Sequence, residues 1–200
     1  TALETFRTVA RAYLDWPLRE GFIRAAPYGL TESRFTLTLA RAYDLLAAAG
    51  IDDADDALFS DAVAFTRETT DRCQHTTCGN HNTWNLAARL SAGLATGDLG
   101  VVRDALEGWT AHGRRYYGLI HQLRHDILSD GLHWERTPGY HYYTLMAFTE
   151  LAAMLSNVGV DIWNAELPAQ MTDDGDDLHR AYGPEGVKCF KAAFDAPFYV

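Results

Sequence analysis

The 200 residues amount to one domain's worth of chain, enough to bury a good core. With 17 basic against 27 acidic residues the net charge is -10, which argues against nucleic acid as a partner and against a generic basic cradle for a polyanion. No apolar run approaches the ~18 residues of a membrane span, and three cysteines, Cys73, Cys78 and Cys189, are too few and too odd for a disulfide framework.

Taken in order, residues 2–16 place Leu3, Phe6, Val9, Ala10, Tyr13 and Leu14 at the spacing of a helix ended by Pro17. Residues 17–32 hold Gly21, Pro27 and Gly29 among aromatics and predict a connecting loop. A second helix starts at Glu32 or Ser33 and runs through Phe35, Leu39, Tyr43 and Leu46 to Gly50, a natural stop. The run Asp52, Asp53, Asp55, Asp56 lacks the central Gly and distal Glu of a calcium loop and reads as a solvated helix start. A third helix follows over residues 57–72, with Leu58, Val63 and Phe65 inward.

The next helix opens near Asn80, repeats Leu86, Leu90 and Leu94, and ends at Gly97. Asp98 caps a long pattern over residues 101–128, in which Gly108, Gly113 and Gly118 predict a bend or a break between two shorter helices. A further helix, carrying Leu145, Phe148, Ala152 and Leu155, runs to Asn157. Residues 161–200 predict a loop rich in Pro and Asp, a short helix over 187–194, and an edge leading outward. No segment alternates strictly enough for a strand, and no repeat recurs at fixed period. The expected fold is all-α, its antiparallel helices joined by short polar links as in an (α/α) toroid or incomplete helical barrel.

Two stretches concentrate polar and aromatic side chains that a helical core does not require: CGNHNTW from Cys78 to Trp84, and DGLHWERTPGYHYY from Asp130 to Tyr143. Asn80, His81 and Asn82 fall at a helix start, where free amide groups favour an anionic ligand. Tyr140 and His141 fall at the mouth of another. The pattern Asn80-His81-Asn82-Thr83-Trp84, followed some fifty to sixty residues later by Asp130-Gly131, Glu135 and Tyr140, resembles the heparinase II/III and alginate lyase superfamily of polysaccharide lyases. The resemblance covers roughly the second two thirds of the chain. It implies an α/α-toroid catalytic domain over residues 1–200, with 186–200 as the lead into an antiparallel β-sandwich beyond this chain. Such an enzyme is secreted or periplasmic. The chain lacks Met at position 1 and stops on Phe198-Tyr199-Val200, so it reads as a piece of something larger, with any signal peptide outside it.

A uronate-containing chain is cut without water by removing the proton at C5, alpha to the carboxylate, and expelling the oxygen at C4. The enzyme must neutralise the carboxylate, accept a proton and donate one. An amide, an imidazole and a phenol suffice. Carried over by the resemblance, Asn80 is the carboxylate neutraliser, His81 a base or second neutraliser, and Tyr140 the general acid, doubling as base when proton and leaving group share a face. Asn82, Trp84, Trp134, Glu135, Arg136 and His141 are the expected substrate contacts, with Arg136 placed to pair with a neighbouring uronate. The partner is an acidic polysaccharide or oligosaccharide, with no cofactor.

Each residue has a simpler role open to it. Asn80 can be only a helix cap, Trp84 only core, and Tyr142 or Tyr143 can replace Tyr140 as the phenol. A glycoside hydrolase would use Asp130 and Glu135 as opposed carboxylates. A non-catalytic sugar-binding helical domain would explain the aromatics alone. His121 and His125, four apart, share a helix face, but the residue after the first is Gln122 where a thermolysin-like site has Glu. Cys73, His75 and Cys78 have no close fourth ligand, so no metal is expected. A Cys73 to Cys78 bridge remains open if the protein is exported.

Overall fold

The computed structural model describes residues 1–15, 29–74, 78–111, 113–128, 130–135, 137–168 and 187–196. Most of the loop expected at 17–32 lies outside these residues, as do His75, Arg136, and much of the tail from 161 to 200. The described chain is mostly helical, as its periodicities predicted. No described helix is long and apolar enough to cross a membrane. Two compact units divide it: Thr1–His75 with Ala88–Arg103, and Thr76–Ala87 with Asp104–Val200.

In the first unit, α1 (Ala2–Leu14) is capped by Thr1, whose hydroxyl accepts from the Glu4 amide. Next come α2 (Leu30–Ala49), stopped at Gly50, and α3 (Asp53–Cys73). Their inward stripes meet in one cluster that includes Phe6, Ala10, Leu39, Ala40, Tyr43, Phe59 and Val63. Phe6 and Phe59 meet edge to face at 4.4 Å. Burying each such side chain contributes on the order of 1.5–3 kcal/mol.

The acidic run is indeed a helix start, but not a uniformly solvated one. Asp52 caps α3 by accepting from the Asp55 amide at 2.9 Å, and Asp56 accepts from the Tyr43 hydroxyl at 2.8 Å. Asp55 is buried and takes a two-pronged pair from Arg7 at 2.7 and 2.6 Å. That guanidinium holds the Asp55 carboxyl below its usual range. Helix α4 (Gly79–Thr96) gives its C-terminal half to this unit, where Arg89 pairs with Asp71 at 2.6 Å. Burial pushes the Cys73 thiol up to about 11, and none of Cys73, Cys78 and Cys189 is in a disulfide. The bridge left open above is not formed.

The second unit begins with the N-terminal half of α4 and resumes at Asp104, within α5 (Leu99–Glu107). The predicted break in the long helical pattern is a β-hairpin, a strand pair that the sequence did not announce. Strands β1 (Gly108–Ala111) and β2 (Arg114–Tyr117) pair antiparallel, with Trp109 opposite Tyr116 and the two rings stacked at 4.9 Å. Each strand is four residues long and only one or two of its side chains point inward, too short a run to show alternation.

After the hairpin a short α-turn, α6 (Leu119–His121), passes directly into a π-turn over Gln122–Asp126. The chain then doubles back: Leu128 N–H donates to Leu132 O at 2.8 Å, and Trp134 N–H to Asp126 O at 2.8 Å. Thr137 caps α7 (Pro138–Asn157), with Pro138 at the first turn where its missing N–H costs nothing. Phe148 of α7 meets Phe190 of α8 (Phe190–Asp195) at 4.7 Å. The short helix expected at 187–194 is thus two parts: Val187–Lys188 is β4, paired with β3 (Leu167–Pro168), and the helix starts at Phe190.

Candidate active site

The site is organised by the first turn of α4. Gly79 has φ 80, a left-handed conformation that a side chain would strain, and its missing Cβ would face the Glu135 carboxylate at 3.4 Å and the Trp134 ring at 3.6 Å. The Gly79 amide donates to Asp126 Oδ2 at 3.2 Å and the Asn80 amide to Glu135 Oε2 at 2.8 Å. A helix start leaves four amides without helical partners and carries partial positive charge. The expectation that these amides stand free for an anionic ligand needs correction. The first two already hold two of the protein's own carboxylates.

Glu135 also takes the Asn80 side chain. Asn80 Nδ2 donates to Oε1 at 2.9 Å and to Oε2 at 2.8 Å, so the amide group is clamped from the loop. Asn80 is only 4% exposed. It is therefore not a helix cap through its own side chain. One bifurcated bond uses one Nδ2 hydrogen and leaves the other, with Oδ1, as the polar edge the clamp orients.

The same loop reaches the mouth of α7. His133 Nδ1 stands 3.3 Å from Glu135 Oε2, and the His133 backbone N–H donates to His141 Nδ1 at 3.1 Å. His141 therefore accepts through Nδ1. Burial lowers its pKa, opposed by the Ala193 backbone and by Asp130, so the ring is held neutral. Tyr140 is next in sequence, at the exposed start of α7 and 51% exposed. Loop 130–135 thus grips Asn80 with one residue and the residue beside Tyr140 with another.

The other expected site residues divide by burial. His81 is half-buried beside Asn80. Asn82 is fully buried, and its Nδ2 donates to the Tyr117 carbonyl at 2.8 Å, fastening the end of β2 to α4. Trp84, 4% exposed, packs its ring against Tyr143 at 5.2 Å. Trp84, Asn82 and His141 are interior residues, and they meet Tyr143, the Tyr117 carbonyl and the His133 amide respectively. Trp134 is half-buried over Gly79. Asp130, the hydrolase candidate, accepts from Leu132 N–H at 3.0 Å and shapes the turn, while its supposed counterpart Glu135 is committed to Asn80.

Sequence reasoning missed the polar residues beneath the mouth. Thr83 donates to Gln122 Oε1 at 2.7 Å, and Gln122 Nε2 donates back to the Gly79 carbonyl at 3.3 Å. Asp126 is fully buried, with His125 Nδ1 at 2.9 Å from its Oδ1. Burial opposes its ionisation, but the hydrogen bond to His125 and the fields of His133, His125 and His121 hold its carboxyl low. Among the described residues one group, His121, His125 and Asp126, brings ligand-type atoms from three side chains within 4.8 Å of one another. The adjacency of His125 and Asp126 was the available signal for it.

Residues 36–183 match the family model described as Alginate lyase. No curated protein and no solved structure matches the chain.

Proposed function

The chain belongs to the alginate lyase family of polysaccharide lyases, and from that premise we propose that it cleaves a uronate-containing polysaccharide, of alginate or glycosaminoglycan type, by β-elimination. The observation that carries the reading is the clamped amide: Asn80, held by Glu135 at the start of α4, stands beside the half-buried His81 in the loop system that also holds the mouth of α7.

In this reading Asn80 hydrogen-bonds the sugar carboxylate, so that charge moving into it as C5 loses its proton is met by a fixed dipole. His81 accepts that proton or, where the base is on the other face, serves as second neutraliser. The C5–H electrons become the C4–C5 double bond, the C4–O bond breaks, and Tyr140 gives its phenolic proton to the leaving oxygen. With proton and leaving group on one face, Tyr140 as phenolate takes the C5 proton and passes it on. No water is consumed. Trp134 and Arg136 are the proposed contacts for neighbouring sugar units, and residues 1–200 are proposed to be part of an α/α toroid of the kind the motifs imply, leading into a β-sandwich. Kinship with heparinase II/III-type enzymes rests on the Asn80-His81 and Glu135 to Tyr140 pattern. A secreted or periplasmic location follows from the substrate.

The test is a panel of uronate polysaccharides followed by the ultraviolet absorption of the unsaturated product. Tyr140→Phe is the cleanest variant because the ring is half exposed and no described bond uses its hydroxyl. It should lower kcat by roughly 10²–10⁴ with stability unchanged. Reducing ends without new absorption would replace the lyase with a hydrolase. Full activity in Tyr140→Phe would remove the phenol from the mechanism.

A further inference from the structure

We propose that His121, His125 and Asp126 form a binding site for a divalent cation of the zinc class, beneath the first turn of α4. The three ligand-type atoms lie within 4.8 Å of one another. Metal bonds of roughly 2.0–2.2 Å in tetrahedral array need donors about 3.3–3.6 Å apart, so modest side-chain rotation closes the set. Two imidazoles and one carboxylate are a donor set that first-row divalent ions prefer, and three protein ligands leave a fourth position open.

The backbone is built for this grouping in a way that spacing alone does not reveal. In an α-helix residues 121 and 125 share a face and residue 126 turns away. Here the turn widens to π geometry over Gln122–Asp126, and residue 126 joins the other two. The Glu that follows the first His in a thermolysin-like site is that site's general base, so Gln122 in its place leaves the ligand set untouched, and the carboxylate ligand here is Asp126.

The surroundings orient two of the three ligands. Tyr117 lies flat on the His121 ring at 4.0 Å, and Asn82 holds the Tyr117 carbonyl at 2.8 Å. Asp126 Oδ2 accepts from the Gly79 amide at 3.2 Å. Such outer contacts fix ring plane and carboxylate direction in metal sites. Asp126 and His125 are buried, whereas His121 is half-buried, so the open position faces the His121 side. Asp126 is also a fully buried carboxylate, and a cation offsets the cost of burying it. A cation bound there would pin the Gly79 turn, one residue from Asn80, whatever chemistry Asn80 performs.

The experiment treats the whole chain with chelator, removes the chelator, and titrates Zn²⁺ alone by calorimetry and Co²⁺ alone by visible absorption. The expected result is one ion per chain, with cobalt bands of nitrogen and oxygen ligation, and weakening by more than about 100-fold in His121→Gln and in His125→Gln. Cys78→Ser should bind as the parent does. The cobalt spectrum of the unaltered protein decides the matter even where a variant fails to fold. A thiolate charge-transfer band, loss of binding in Cys78→Ser with His121→Gln unaffected, or no binding tighter than about 10 μM would each overturn the site.

Discussion

Replacing Glu135 with Ala removes the single group that holds both the backbone and the side chain of Asn80. A hydrogen bond to a charged acceptor contributes about 1.5–3 kcal/mol, which sets a ceiling near 3–6 kcal/mol for two donor groups. The Glu135 side chain is 19% exposed, so water recovers part of the loss, and about 3 kcal/mol is expected. For a chain of this length that lowers Tm by roughly 6–12 °C. Asn80→Ala loses only the side-chain arm, about 1–2 kcal/mol, because its backbone N–H still meets Glu135. The two substitutions should then be non-additive, with a coupling of about 1–2 kcal/mol in a double-mutant cycle measured by urea unfolding. A coupling below about 0.5 kcal/mol would show that the clamp contributes nothing of its own, and the placement of Asn80 would need another cause. Glu135→Gln keeps one acceptor oxygen but sets an NH2 against Asn80 donors, so it should lie between the parent and Glu135→Ala.

Three further outcomes are expected. Gly79→Ala forces a side chain into left-handed backbone and should cost roughly 1–2 kcal/mol in chemical denaturation; no change would mean the turn relaxes freely. Asn82→Ala leaves the Tyr117 carbonyl without its side-chain donor, at about 1–3 kcal/mol, and faster amide exchange should appear first in Arg114–Tyr117. His141 is held neutral below the ordinary histidine pKa, so the unfolded chain takes up the proton first. Its contribution to stability is full above about pH 6.5 and declines as pH falls below that value. Urea midpoints from pH 7.5 to 5 should therefore fall, and fall less steeply in His141→Gln; an identical slope would refute the assignment.

Much of the helical framework is legible in the sequence. Phe6 and Ala10, Leu39 and Tyr43, and Leu86 and Leu90 recur at helical spacing because each helix must bury one stripe, and all six are buried. Gly50 and Gly97 stop helices, and Thr137-Pro138 starts one, through backbone preferences that act locally. The β-hairpin was not legible, since its four-residue strands are too short for a period to show and its glycines read equally well as helix breaks. The π-turn at Gln122–Asp126 was hidden for a similar reason, because an α-turn and a π-turn share composition and differ only in which carbonyl each amide finds.

For the candidate site, the residue types Asn80, His81, Glu135 and Tyr140 could be read from two motifs. Which of them touch could not. Glu135 clamps Asn80 across a separation of 55 residues, and Gly79 meets Asp126 across 47. Local sequence determined which segments become helices and where polar side chains gather, because capping, spacing and turn preferences are properties of neighbours along the chain. Tertiary structure alone decided that two amides of α4 are spent on carboxylates, that Trp84 and His141 turn inward, and that three potential metal ligands share one turn. Those outcomes depend on chain closure over long separations, where burying a charged group demands a partner and that partner can come from anywhere in the fold.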